Sequence, residues 1–113
     1  MLGKIIKTTI SVFPALFTAV KIFISQLKSS QSLDIFTFDE VIIWLKTRKE
    51  LKTSDDDNIA FTLLEKHDEQ YQIVIGIYNK LINEILDGEI IMTKQIDEKL
   101  KDCHSNNELV IYE

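Results

Sequence analysis

A chain of 113 residues is the length of one domain. Its 45% hydrophobic and 27% charged residues exclude a disordered tail or a low-complexity filament. Three glycines and one proline exclude a loop-dominated or collagen-like architecture, and one cysteine excludes an internal disulfide. Charge is distributed unevenly. Residues 1–30 carry Lys4, Lys7, Lys21 and Lys28 with no acidic residue, whereas residues 31–113 hold 9 basic against 18 acidic residues. A basic, apolar N-terminal segment therefore precedes an acidic body within a single domain, 1–113. Arg48 is the only arginine, so bidentate contacts to phosphate or guanine are scarce, and the acidic body repels a nucleic-acid backbone.

The leader has a basic start and the apolar run 12–20, like a secretory signal. Lys21 stops that run, and Phe17 occupies the place where a small residue should precede Ala19 at a cleavage site. The run is also too short to span a bilayer. A retained segment is expected instead, with a short strand around Lys4–Val12 and a helix over 14–28. Pro14 suits the first helical position, and Leu16, Val20, Phe23 and Leu27 recur at helical spacing, widened by Phe13, Phe17 and Ile24. Such a helix serves either as core or as a surface anchor.

Thr37-Phe38-Asp39-Glu40 has the form of a capping box, with Phe36 and Val41 placed as the hydrophobic staple. Acidic residues at its start and Lys46, Arg48 and Lys49 near its end complement the helix dipole. The pattern predicts a helix over 38–51 that buries Phe38, Val41, Ile42 and Leu45, with Trp44 beside the stripe. The connector 52–58 carries Asp55, Asp56 and Asp57. Its spacing does not fit a calcium loop, which alternates its ligands and needs glycine at the sixth position. It is expected to be a turn or a helix cap.

Residues 59–92 decide the fold class. Ile59–Leu64 and Tyr71–Tyr78 read as β-branched strands around a turn at 65–70, with Asp87-Gly88 as a second, tight turn. A helical alternative exists, because Tyr71, Val74, Tyr78, Leu81 and Ile85 fall three or four residues apart. Gly76 and the β-branched run disfavour it. Thr93 is expected to cap a short helix carrying Ile96, Leu100 and Cys103, before a terminal strand at Leu109–Tyr112. The order gives an α+β domain with helices on one face of a mainly antiparallel sheet. The alternative is an all-α bundle if 58–87 is helical.

Chemistry-bearing residues are few. His67, His104 and Cys103 are scattered, with neither zinc-ligand spacing nor a nucleophile–base–orienter arrangement. Glycines at 3, 76 and 88 cannot form a phosphate loop. No catalytic, cofactor or metal residue is expected, and an enzyme is the least favoured class. The leading expectation is a non-catalytic protein-binding module, an acidic adaptor, inhibitor or immunity-type protein. Its anchors would be Phe13, Phe17, Phe23 and Trp44, and its partner a basic protein or a second copy. The alternative is a peripheral membrane protein that uses the basic apolar helix. The single thiol suits a reducing cytoplasm. Eighteen isoleucines and twelve lysines against one arginine suggest an AT-rich coding sequence, as in low-GC bacteria or mobile elements.

Overall fold

Seven consecutive residues of one strand, Ile73 through Asn79, are buried, which requires cover on both faces of the sheet they belong to. The computed structural model describes residues 5–8, 14–26, 31–105 and 108–112. In chain order these form β1 (Ile5–Thr8), α1 (Pro14–Gln26), β2 (Gln31–Phe36), α2 (Phe38–Thr47), α3 (Lys49–Thr53), β3 (Asn58–His67), β4 (Gln70–Asn79), β5 (Glu84–Ile96), α4 (Glu98–Cys103) and β6 (Leu109–Tyr112). The strands make one six-stranded sheet in the order β1-β6-β3-β4-β5-β2. Every pairing is antiparallel except β2 with β5. The architecture is α+β, and the helical alternative for 58–87 is excluded by the β3–β4–β5 meander.

Alternation sorts the core into two layers. On one face, Ile73, Ile75 and Ile77 of β4 pack with Ala60, Ile91, Val110 and Tyr112 beneath Val41, Trp44, Leu45 and Leu100 of α2 and α4. On the other, Val74 and Tyr78 pack with Phe61, Leu63, Ile90, Leu109 and Ile111 beneath Leu16, Ala19 and Val20 of α1. The helices are thus not all on one face. Helices α2 and α4 share one layer, and α1 covers the opposite one, where half the aliphatic side chains of the central strands would otherwise meet water.

Four local expectations are corrected. Asp87-Gly88 is not a turn. It lies inside β5, where Gly88 pairs with Gly76 across a ladder that shifts register near Ile77 and Tyr78. The reversal falls at 80–83 instead, with Asn83 in the left-handed region at φ 56°. The two glycines serve packing: a Cβ on Gly76 would sit 3.0 Å from the Phe61 ring, and one on Gly88 3.1 Å from the Phe23 ring. The turn expected at 65–70 narrows to Asp68 and Glu69, with Asp68 at φ 55°.

The helix expected over 38–51 breaks at Arg48 (φ −116°, ψ 21°) into α2 and α3. Its buried stripe is Val41, Trp44 and Leu45, with Ile42 only half-buried. Thr37 caps α2 as its pattern predicts, accepting from the Glu40 amide at 3.2 Å. Thr93, by contrast, belongs to β5, and Asp97 caps α4. The connector 54–57 is a turn in which the Asp55 carboxylate accepts from the Asp57 amide at 2.9 Å. The helix at 14–28 is described to Gln26 and the early strand over Ile5–Thr8.

Candidate functional site

Helix α2 turns its Val41, Trp44 and Leu45 side inward, and its next stripe, Glu40, Ile43 and Thr47, looks along the sheet toward the β2 edge. Between that stripe and the two outermost strands on this side runs a groove. Leu33 and Phe36 of β2 and Glu89 and Ile91 of β5 form its sheet side, and Trp44 and Arg48 complete it. Its volume of about 340 Å³ lies near the lower end of the roughly 300–1,000 Å³ typical of small-molecule clefts. Ile43 stands at the rim, 61% exposed although aliphatic.

Arg48 closes one end of the groove. Its guanidinium lies 3.8 Å over the Trp44 ring, and its Nε donates to Asp87 Oδ2 at 2.7 Å. The Nη1 group donates to Thr47 Oγ1 at 2.7 Å and to the Trp44 carbonyl at 3.3 Å, and Nη2 lies 3.7 Å from Glu89 Oε1. With Arg48 engaged by Asp87 and Glu89, the rim keeps an acidic balance through Glu40. Trp44 is only 8% exposed, and its Nε1–H is buried without an acceptor among the described residues. A buried N–H left unpaired costs about 1–3 kcal/mol.

The sequence candidates divide. Trp44 lies at the groove as a floor residue. Phe17 and Phe23 are half-buried in the α1 layer, the latter against Gly88. Phe13 lies outside the described residues. Trp44 lies on the opposite side of the sheet from Phe17 and Phe23. The groove residues that sequence reasoning missed are Glu40, Ile43 and Glu89. Ile43 carried a signal, being the aliphatic residue of the helix that fits the buried stripe least well.

The remaining polar groups form a second cluster, inside the protein. Thr62 Oγ1 lies 2.8 Å from His104 Nε2 and 2.7 Å from the Tyr112 hydroxyl, all three being buried on the α4 side of the sheet. Burial raises the Tyr112 pKa far above its ordinary value. The hydrogen bond from Thr62 works the other way, and Cys103 nearby adds a further rise. His67 stands at the outer end of β3, 3.2 Å from Glu65. Among the described residues, no group of three or more His, Cys, Asp and Glu side chains is placed to hold a metal ion, and no helix is long and apolar enough to cross a membrane. Comparison with known protein families, curated proteins and solved structures finds no match to this chain.

Proposed function

We propose that this chain is a non-catalytic protein-interaction module of the acidic adaptor, inhibitor or immunity type. In this reading the groove beside Trp44 receives a basic segment of a partner protein led by one aliphatic side chain. The observation that carries it is the pairing of an exposed aliphatic rim residue, Ile43, with an acidic balance in the same groove. Charge supports it at longer range, because a body of 9 basic and 18 acidic residues steers a cationic partner inward and speeds encounter. The groove's polar groups are two carboxylates, a hydroxyl bonded to the Trp44 carbonyl at 2.7 Å and an ion-paired guanidinium. Such a set recognises charge and shape. A reducing cytoplasm suits the single thiol.

Panning a displayed library of lysine-rich peptides with one leucine or isoleucine tests the proposal. Binders should lose about tenfold or more in affinity to Ile43→Asp and to the Glu40→Lys, Glu89→Lys pair, a loss of roughly 1.4 kcal/mol. They should also shift the Trp44 indole N–H resonance. Failure to recover binders above an acidic control library, or binders indifferent to these substitutions, would sink it.

A further inference from the structure

Strand β2 ends the sheet, with β5 on one side and no strand on the other among the described residues. An edge strand bonds its neighbour with alternate backbone groups and presents the remaining N–H and C=O groups outward. Such edges are ordinarily blunted by brevity, by charge, lysine above all, or by proline. The opposite edge of this sheet follows that habit, since β1 has four residues and Lys7 is one of them. Strand β2 has six residues and holds neither lysine nor proline. Its one charge is acidic. The Asp34 side chain is 94% exposed and lies 3.8 Å from Lys94. Ile35, the next residue, is 46% exposed although aliphatic. This edge repels an acidic strand and leaves its backbone open to a basic one.

The groove beside Trp44 lies along the same edge. Leu33 and Phe36 of β2 belong to its sheet side, and Ile43 of α2 is its exposed rim. An open strand edge facing a helix across a groove is the arrangement that strand addition uses. Main-chain bonds to the edge give affinity, and alternate side chains of the added segment enter the groove. Leu33 packs toward α2, so Asp34, its neighbour along the strand, projects from the other face. The acidic residues around this edge are Asp34, Asp39, Glu40, Asp87 and Glu89, and the basic ones are Lys46, Arg48 and Lys94. Arg48 is already held by Asp87 and Glu89, and Lys94 by Asp34.

We propose that the partner's segment binds as an extended strand added to the free edge of β2, with aliphatic residues alternating with lysines. This rests on the groove's reading as a partner-binding site and adds the conformation and residue pattern of the occupant. The open backbone calls for a strand, because a helix satisfies its own amides and would leave the edge of β2 unpaired. Period two then sorts the side chains. Aliphatic residues fall on the α2 face, beside Leu33 and Ile43, and the lysines between them fall on the face of Asp34. The same acidity disfavours a second copy as occupant, since two β2 edges side by side would bring Asp34 and Glu40 against their own kind.

Titration of the full chain with two short peptides of identical composition tests this. In one, lysine and isoleucine alternate; in the other, the same residues are spaced for an amphipathic helix. The alternating peptide should bind about tenfold or more tightly than the other. At saturation, amide exchange at alternate residues within 32–35 should slow by about tenfold or more. N-methylation of every second amide of the alternating peptide should abolish binding in one phase and spare it in the other. Asp34→Lys should stay folded by circular dichroism, its side chain being exposed, and should weaken the alternating peptide about fivefold. Equal binding of the helix-spaced peptide, with the β2 amides unprotected, overturns strand addition and leaves the groove reading standing. Binding of neither peptide also overturns it, and the displayed library then judges the groove separately. A dimer by light scattering, with the β2 amides protected before any peptide is added, makes a second copy the occupant and overturns it as well.

Discussion

Asp97 lies where two helices begin: its Oδ1 accepts from the Phe38 amide at 3.0 Å, 59 residues away in the chain, as well as from the Leu100 amide of its own helix at 3.1 Å. The parallel pair β2–β5 makes this possible, because both strands end at the same height and release α2 and α4 side by side. One carboxylate thus serves the positive ends of both helices and ties the loop after β5 to the loop after β2.

Replacing that carboxylate should cost more than an ordinary cap. A single N-cap is worth about 1 kcal/mol, so Asp97→Ala should lose about 2 kcal/mol in urea denaturation. Asp97→Asn keeps an acceptor for both amides and should lose well under half of that. Equal losses in the two variants would mean that charge, rather than the shared oxygen, is what the helices use.

Arg48 explains why one predicted helix became two. Its side chain reaches back over Trp44 and across to Asp87, and the backbone departs from helical geometry at the same residue. Arg48→Ala removes a stacked cation worth about 0.5–1 kcal/mol and exposes part of the indole, so a loss of about 1–2 kcal/mol is expected. Arg48→Lys should recover less than half, because an ammonium cannot lie flat on the ring and hold Asp87 as well. Thermal melts of the three proteins decide this.

Residue patterns spoke clearly where one element satisfies its own needs. Thr37 and Glu40 announce the start of α2, and Ile73, Ile75 and Ile77 announce a buried strand, because capping and alternation are local. The misreadings were long-range. Asp87-Gly88 resembles a hairpin turn, but Gly88 is glycine because the Phe23 ring presses on the strand there. The true turn escaped notice because Leu81 and Ile82 look like core, and the bonds that hold Lys80–Asn83 as a reversal include the distant Asp57 carbonyl as well as the Asn79 side chain. The groove beside Trp44 was half legible. Its tryptophan stood out, but Leu33 and Ile91 meet only through a parallel pairing that no local pattern reveals.

The two facing glycines make a sharp prediction. A methyl at Gly88 would meet the Ile75 carbonyl at 3.0 Å as well as the Phe23 ring. Gly88→Ala should therefore cost about 1–3 kcal/mol through overpacking, although alanine has the better intrinsic propensity. The disturbance should pass to α1, so hydrogen exchange at the Ala19 and Val20 amides should speed up more than at the Val41 amide. A neutral or stabilising Gly88→Ala would show that Phe23 can move aside freely.

Alkaline titration should expose the Thr62–Tyr112 pair. The folded state holds the Tyr112 proton well above the ordinary value near 10, whereas the unfolded chain releases it there. Its contribution is therefore complete below about pH 10 and fades as pH rises toward the folded value, by up to about 1.4 kcal/mol for each unit. Tyr112→Phe cannot titrate. It should be less stable than the parent at pH 8 by about 1 kcal/mol for the lost bond, and should lose stability more slowly above pH 10. Parallel slopes for the two proteins would assign the alkaline loss to other groups, such as the lysines.

Asn79 joins the stability of the core to the shape of the apolar turn. Its buried amide donates to Asn58 Oδ1 at 2.7 Å and to Asp55 Oδ2 at 3.2 Å, while its oxygen holds the Leu81 and Ile82 amides. Asn79→Ala strands the Asn58 oxygen and frees both turn amides, so a cost of about 2–3 kcal/mol is expected. Hydrogen exchange separates the two consequences. The Leu81 and Ile82 amides should exchange faster by more than the global loss explains, whereas Ile75 in the middle of β4 should follow the global change alone. If the turn amides keep their protection, the backbone of the turn holds itself, and Asn79 is a core residue that only happens to stand beside it.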